Sequence, residues 1–288
     1  MKSIKYLLEA IIIYLFFLII KLIGLNFSRK IIASIFNYLG PIIKSKKTIK
    51  QNLKKINPNL SEDEEKKIIK KMWNNYGMTF VEYIYLNKFR NTSLHINIEG
   101  KEILKKIILN NKPVIFTSGH FANFELMSME LTKNKINLAT IYRPLNNYFL
   151  NPFMEYLRKK YICRNQIKKG IPGMKYLIED LKNNRSIALM VDQRVSEGKS
   201  INFFEHPALT TTLPAQIAIK YNCDIVPIYI SRNSNNSFNM KIYQPIKIND
   251  FKNREKSKIK ITKKLNEITA SMISKDPSQW ILTHNRWK

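Results

Sequence analysis

The sequence predicts an α/β protein, a sheet covered by helices, with an apolar helix ahead of it that can hold it at a membrane. Three observations carry this expectation. An apolar run opens the chain from Ile4 to Leu25, helical periodicity dominates from Phe27 to Asn91, and from Lys112 onward short strand-length apolar runs alternate with helix-period segments.

The run Ala10 to Ile20 (AIIIYLFFLII) has no polar side chain except the Tyr14 hydroxyl. As a helix it reaches only about 16 Å of a hydrocarbon core roughly 30 Å thick. Extended to Ile4 and Leu25 it reaches about 33 Å, with Lys5, Glu9 and Lys21 near enough to the ends to bring their charges to the interfaces. Arg29, Lys30, Lys44, Lys46, Lys47 and Lys50 follow it, against Lys2 and Lys5 before it, a bias that sets the main body in the cytoplasm. A cleaved signal peptide shares the basic start and apolar run, but no convincing small-residue cleavage site follows. The expected division is a membrane anchor at residues 1–27 and a main domain at 28–288 whose N-terminal part is helical.

In that helical part, Ser61 and Glu64 form a capping-box pattern ahead of Ile68, Ile69 and Met72. Beyond it, Pro113 to Thr117, Leu138 to Tyr142, Ile187 to Val191, Ile225 to Ile230 and Phe238 to Tyr243 read as strands. Helical stretches near Phe124 to Leu131, Gly173 to Leu181 and Leu213 to Tyr221 separate several of them. Such alternation places active-site residues in the loops after strand carboxyl ends.

A length of 288 residues with 44% hydrophobic composition suffices for a substantial core. The net charge of +28 attracts anionic partners: nucleic acid, phospholipid headgroups or acidic proteins. Cys163 and Cys223 are the only cysteines and lie far apart, which argues against a disulfide framework or a structural zinc site. The sequence has no nucleophile elbow, no H-E-x-x-H, no P-loop and no dinucleotide fingerprint, and its four histidines suggest no local metal cluster.

One segment carries chemistry. Ser118-Gly119-His120-Phe121-Ala122-Asn123-Phe124-Glu125 follows the first of these strands, with four residues between His120 and Glu125. On one regular helix that spacing leaves the two side chains roughly 140° apart, so His120 belongs before the helix. If Asn123 caps a helix containing Glu125, the carboxylate folds back to one imidazole nitrogen and frees the other as a general base. A structural histidine beside a glutamate fits the spacing alone as well.

The block His120 to Glu125 resembles the H-x4-D/E motif of the lipid A biosynthesis acyltransferases, the lauroyl and myristoyl transferases. Ile141-Tyr142-Arg143-Pro144-Leu145 is similar to their Y-R-P block, Val191-Asp192-Gln193 to their D-Q block, and Phe203-Phe204 with Pro207-Ala208 to the segment after it. Ile225-Val226-Pro227, Gln279-Trp280, Arg286-Trp287-Lys288 and, early in the chain, Asn52-Leu53 with Pro58 extend the likeness over nearly all of it. Ala122 and Phe124 stand where the family often has Gly and Trp. The resemblance implies a glycerolipid-acyltransferase-like mixed sheet, no metal or other cofactor, and His120 and Glu125 as the catalytic pair. It implies a donor thioester on acyl-carrier protein and, as acceptor, a hydroxyl of a Kdo-bearing lipid A precursor at the cytoplasmic face of the bacterial inner membrane.

For substrate binding, Arg143 stands between a strand and Pro144, where a planar guanidinium can hold a phosphate through two hydrogen bonds. Asp192 ends another strand, placed to position Arg143 or a substrate hydroxyl, with Gln193 next to it and Asn123 in the histidine loop. Arg158 and Arg164 belong to a basic cluster, with Lys159, Lys160, Lys168 and Lys169, suited to lipid phosphates, Kdo carboxylates or an acidic carrier protein. Two rival readings stand beside this one. An enzyme of the same fold can act on another membrane glycolipid or aminolipid; a membrane-tethered nucleic-acid-binding protein fits the charge but has no recognition motif in the sequence.

Overall fold

A computed structural model describes residues 2–251 and 254–287; Met1 and Lys288, expected in the anchor and in the C-terminal signature, lie outside the described residues. The chain opens with α1 (Lys2–Ile23), α2 (Leu25–Ile43), α3 (Lys46–Ile56), α4 (Glu62–Glu82) and the short α5 (Leu86–Arg90). The expected capping box starts α4: the Ser61 N–H donates to Glu64 Oε2 at 2.9 Å and the Glu64 N–H to Ser61 Oγ at 3.3 Å. Gly77 lets α2 and α4 touch backbone to backbone, since a side chain there would strike the Ile32 carbonyl at 2.7 Å. This close approach brings Arg29 of α2 to Glu82 of α4.

Then come β1 (Ile96–Glu99), α6 (Lys101–Asn110), β2 (Ile115–Ser118), α7 (Glu125–Lys133), β3 (Leu138–Tyr142), α8 (Asn151–Leu157), β4 (Asn165–Lys168), α9 (Ile171–Lys182) and β5 (Ser186–Met190). After β6 (Lys199–Phe203) and β7 (His206–Thr210) follow α10 (Leu213–Tyr221), β8 (Ile225–Arg232), β9 (Phe238–Ile242) and α11 (Arg254–Lys275). The expected mixed sheet has seven strands in the order β1-β9-β8-β2-β5-β3-β4, parallel except where β8 meets β9. β6 and β7 form a separate antiparallel ribbon.

Helices on both sides bury the sheet. One core gathers Phe116, Leu126, Val226 and Ile228 with Phe17 and Ile20 of α1, and another packs Ile115, Ile187 and Ile225 against Leu177 of α9 and Ala215 of α10. Central β2, β5 and β8 are thus covered on both faces, which is why Ile187 to Val191 and Ile225 to Ile230 read as nearly continuous apolar runs.

Candidate active site

Two neighbouring parallel strands end together and start the site. Ser118 of β2 lies opposite Met190 of β5, so the second residues past those ends, His120 and Asp192, stand side by side. Asp192 is 1% exposed and accepts hydrogen bonds from the His120 backbone N–H at 3.0 Å, from His120 Nδ1 at 2.8 Å and from the Trp280 indole at 2.8 Å. Burial alone would raise the Asp192 carboxyl, but the imidazole charge and these donors hold it at about 2. Burial alone would lower His120, and Asp192 outweighs it, so the imidazole lies above its ordinary value. The carboxylate fixes the proton on Nδ1 and leaves Nε2 as the acceptor, on a ring whose side chain stays 20% exposed.

The turn that carries His120 is tight. A side chain at Gly119 would meet Phe121 at 2.7 Å and crowd Asp192 at 3.2 Å. Ala122 adopts the left-handed φ of 44° and donates its N–H to the Gln279 carbonyl at 2.8 Å, while Phe121 bridges to Trp280. That backbone geometry is the physical reason a glycine suits position 122.

Glu125 opens α7 but does not hold the imidazole. It accepts from the Tyr83 hydroxyl at 2.5 Å and from Arg158 Nε at 2.8 Å, with Arg158 Nη2 at 2.7 Å. The expected His120–Glu125 hydrogen bond is therefore corrected to His120–Asp192: the strand register delivers Asp192 to Nδ1, and α7 turns Glu125 toward Tyr83. Glu125 still lies near enough to favour the protonated imidazole, and Arg158 to oppose it. Arg158, flanked by the Tyr83 and Tyr142 rings at 5.9 Å each, is held protonated by Glu125 and Tyr83 despite its burial.

Asn123 does not cap α7; Phe124 occupies that position without a side-chain bond. The Asn123 amide donates to Glu82 Oε2 at 2.9 Å. Glu82 is fully buried and also takes Arg29 Nε at 2.8 Å and Arg232 Nη2 at 3.0 Å. Burial would raise its carboxyl, but Arg232 and then Arg29 hold it low. This buried network braces the histidine loop from behind.

The remaining expected residues divide. Asp192 faces His120 and Trp280, not Arg143. Arg143 is exposed just past β3, with no hydrogen bond or ion pair among the described residues; Arg164 is exposed before β4, and Gln193 is partly exposed beside Asp192. Arg158 turns inward, away from the exposed Lys159 and Lys160. Sequence reasoning missed Tyr83, Glu82, Arg232 and the indole of Trp280 as groups that meet these side chains or brace their loop. The available signal for Glu82 was a carboxylate set between Val81 and Tyr83 on an apolar helix stripe.

The arrangement provides a base with a fixed tautomer and a buried cation close to it. The family model of the bacterial lipid A biosynthesis acyltransferases matches residues 2–288. The chain belongs to that family. No curated protein matches it significantly. In a lipid A biosynthesis acyltransferase the reaction is acyl transfer, for which a histidine able to take a proton and a cation able to face a developing oxyanion are chemically fitting parts.

Proposed function

We propose that this protein transfers a fatty acyl chain from an acyl-carrier-protein thioester to a hydroxyl of a Kdo-bearing lipid A precursor, at the cytoplasmic face of the inner membrane. The observation that carries this reading is the Asp192-oriented His120, part-open at the carboxyl end of the sheet in a chain matched to the family over residues 2–288.

His120 Nε2 takes the proton of the acceptor hydroxyl, and the oxygen attacks the thioester carbonyl carbon. Asp192 stabilises the imidazolium, and Arg158, held by Glu125 and Tyr83, supplies positive charge for the oxyanion. Collapse expels the carrier thiolate, which takes the proton back from the imidazolium. If the acceptor hydroxyl sits on a 3-hydroxyacyl chain, the product is an acyloxyacyl ester. Arg143 and Arg164 are the exposed guanidiniums we assign to lipid phosphates or Kdo carboxylates, with Gln193 and Asn123 at the rim and base of the loop. The +28 charge supports both an anionic lipid and an acidic carrier.

The test is to incubate purified protein with acyl-acyl-carrier-protein and the Kdo-bearing precursor, and to read the product by mass spectrometry with fragmentation. A gain of one acyl group on a 3-hydroxyacyl chain, lost by about 100-fold or more in His120→Ala, is expected. An enzyme that acylates another membrane glycolipid or aminolipid and ignores this precursor replaces the lipid A acceptor with the same-fold alternative.

A further inference from the structure

We propose that α1 lies flat in the surface of an anionic bilayer, with one face sunk among the lipids, and does not cross it. This goes beyond the acyl-transfer reading and does not rest on it.

The helix has two apolar faces with different surroundings. One is packed on protein: Phe17 meets Phe80 at 5.3 Å and Phe153 at 6.0 Å between ring centroids, and Phe17 and Ile20 share a core with Phe116 and Leu126 of the catalytic part. Hydrogen bonds stitch this seam along its length. The Tyr148 hydroxyl lies 2.6 Å from Ser3 Oγ, the Asn147 amide donates to the Tyr6 carbonyl at 2.8 Å, the Tyr14 hydroxyl to the Phe149 carbonyl at 2.9 Å and the Tyr85 hydroxyl to the Ile20 carbonyl at 2.8 Å.

The other face is open. Ile4, Leu8, Ile11, Leu15, Leu18 and Leu22 recur at alternating steps of four and three and are each 45% to 79% exposed. A helical ridge with that spacing lies on one side of the cylinder. A lipid phase covers a ridge of this length, and the exposed Lys2, Lys5 and Lys21 of α1, with Lys30 of α2, match it to an anionic surface.

A helix that crosses the membrane carries whatever is packed on it to the same depth. Were α1 to cross, the irregular segment 143–150 stitched to it would be drawn to the same depth, with Asn147 and the Glu9 carboxylate beside it at 3.3 Å. Lipid-exposed non-helical backbone is excluded from that environment, and a carboxylate there is costly, because their polar groups lose water without gaining partners. Lying flat sinks the ridge alone and leaves the stitched seam on the aqueous side. It also sets Arg143, at the start of that segment, at the level of lipid headgroups.

The test uses the full chain in sealed vesicles of phosphatidylglycerol and phosphatidylethanolamine. Cys163 and Cys223 are buried, so nitroxide labels attach selectively in Ile4→Cys, Leu15→Cys and Leu22→Cys, and their depth is read by collision with oxygen and with a water-soluble nickel chelate. The expected result is one shallow depth for all three, in one leaflet, within about 5 to 10 Å of the headgroups. A depth that peaks at Leu15→Cys, with the end labels in opposite headgroup regions, overturns the proposal in favour of a span. Labels as water-accessible as without vesicles overturn it too, and so does spin–spin broadening between copies, which would mean that a second chain covers the ridge. As a second readout, a membrane-impermeant maleimide added outside is expected to modify both Lys2→Cys and Lys46→Cys; modification of only one overturns the flat orientation.

Discussion

The Asp192 carboxylate meets His120 Nδ1 at 2.8 Å because each residue stands two places beyond a strand end, and the sheet holds those ends, Ser118 and Met190, opposite each other. The contact is a product of register. It couples the imidazole to a carboxylate that the chain places on a different loop.

Asp192→Asn is expected to lower kcat by about 100-fold or more, because the imidazolium formed in the reaction loses its counter-charge. The pH profile distinguishes this from simple damage. On the proposed mechanism His120 works unprotonated, and Asp192 raises its pKa, so kcat/KM of the native enzyme is expected to fall as pH drops through a value above the ordinary histidine range. In Asp192→Asn that acidic limb moves to lower pH. An unmoved limb would remove Asp192 from its positioning role.

Glu125 and Arg158 act as one unit through their contacts at 2.7 and 2.8 Å. Arg158→Lys keeps the charge and loses the two-point grip, and Glu125→Gln loses the counter-ion, so each is expected to reduce kcat/KM at least tenfold. The double variant is expected to be little worse than the more damaging single one, with a coupling of about 1 to 3 kcal/mol. Additive losses in steady-state kinetics would show that the two residues serve separate ends.

Arg143 is exposed and touches no partner that the fold needs. Arg143→Ala is expected to leave the melting temperature within about 1 °C of native, as exposed substitutions do. It is expected to raise KM for a phosphorylated acceptor about tenfold or more, the worth of a lost charge-assisted contact. An unchanged KM would return Arg143 to the general basic surface.

Ala122 holds a left-handed φ of 44° inside the histidine loop. That conformation costs a side chain about 1 kcal/mol. Ala122→Gly is therefore expected to raise the melting temperature by about 2 °C with activity retained. A lower melting temperature would mean that the methyl group's packing outweighs the backbone relief.

The covered strands were legible in the sequence for a simple reason: Ile187 to Val191 and Ile225 to Ile230 are buried on both faces and carry almost no polar residue. The edge strand β4, with the sequence NQIK, and the ribbon strands β6 and β7 have no such run and give no strand signal in the sequence. The histidine loop was legible from its residue types, but not its partner. Which carboxylate reaches His120 depends on β2 lying beside β5, and strand order leaves no trace in local periodicity. Asn123 was misplaced for a related reason: a cap is a local expectation, while Glu82, its actual partner, arrives from a helix 41 residues away.

The triplet His120, Asp192 and Trp280 joins points 72 and 88 residues apart along the chain. Bringing together residues of such long sequence separation closes long loops, an entropic cost that local contacts do not carry. On the proposed mechanism, turnover requires all three segments to have met. A chain in which β5 has not joined β2 lacks the His120–Asp192 contact, so recovery of turnover after denaturation is expected to report that pairing.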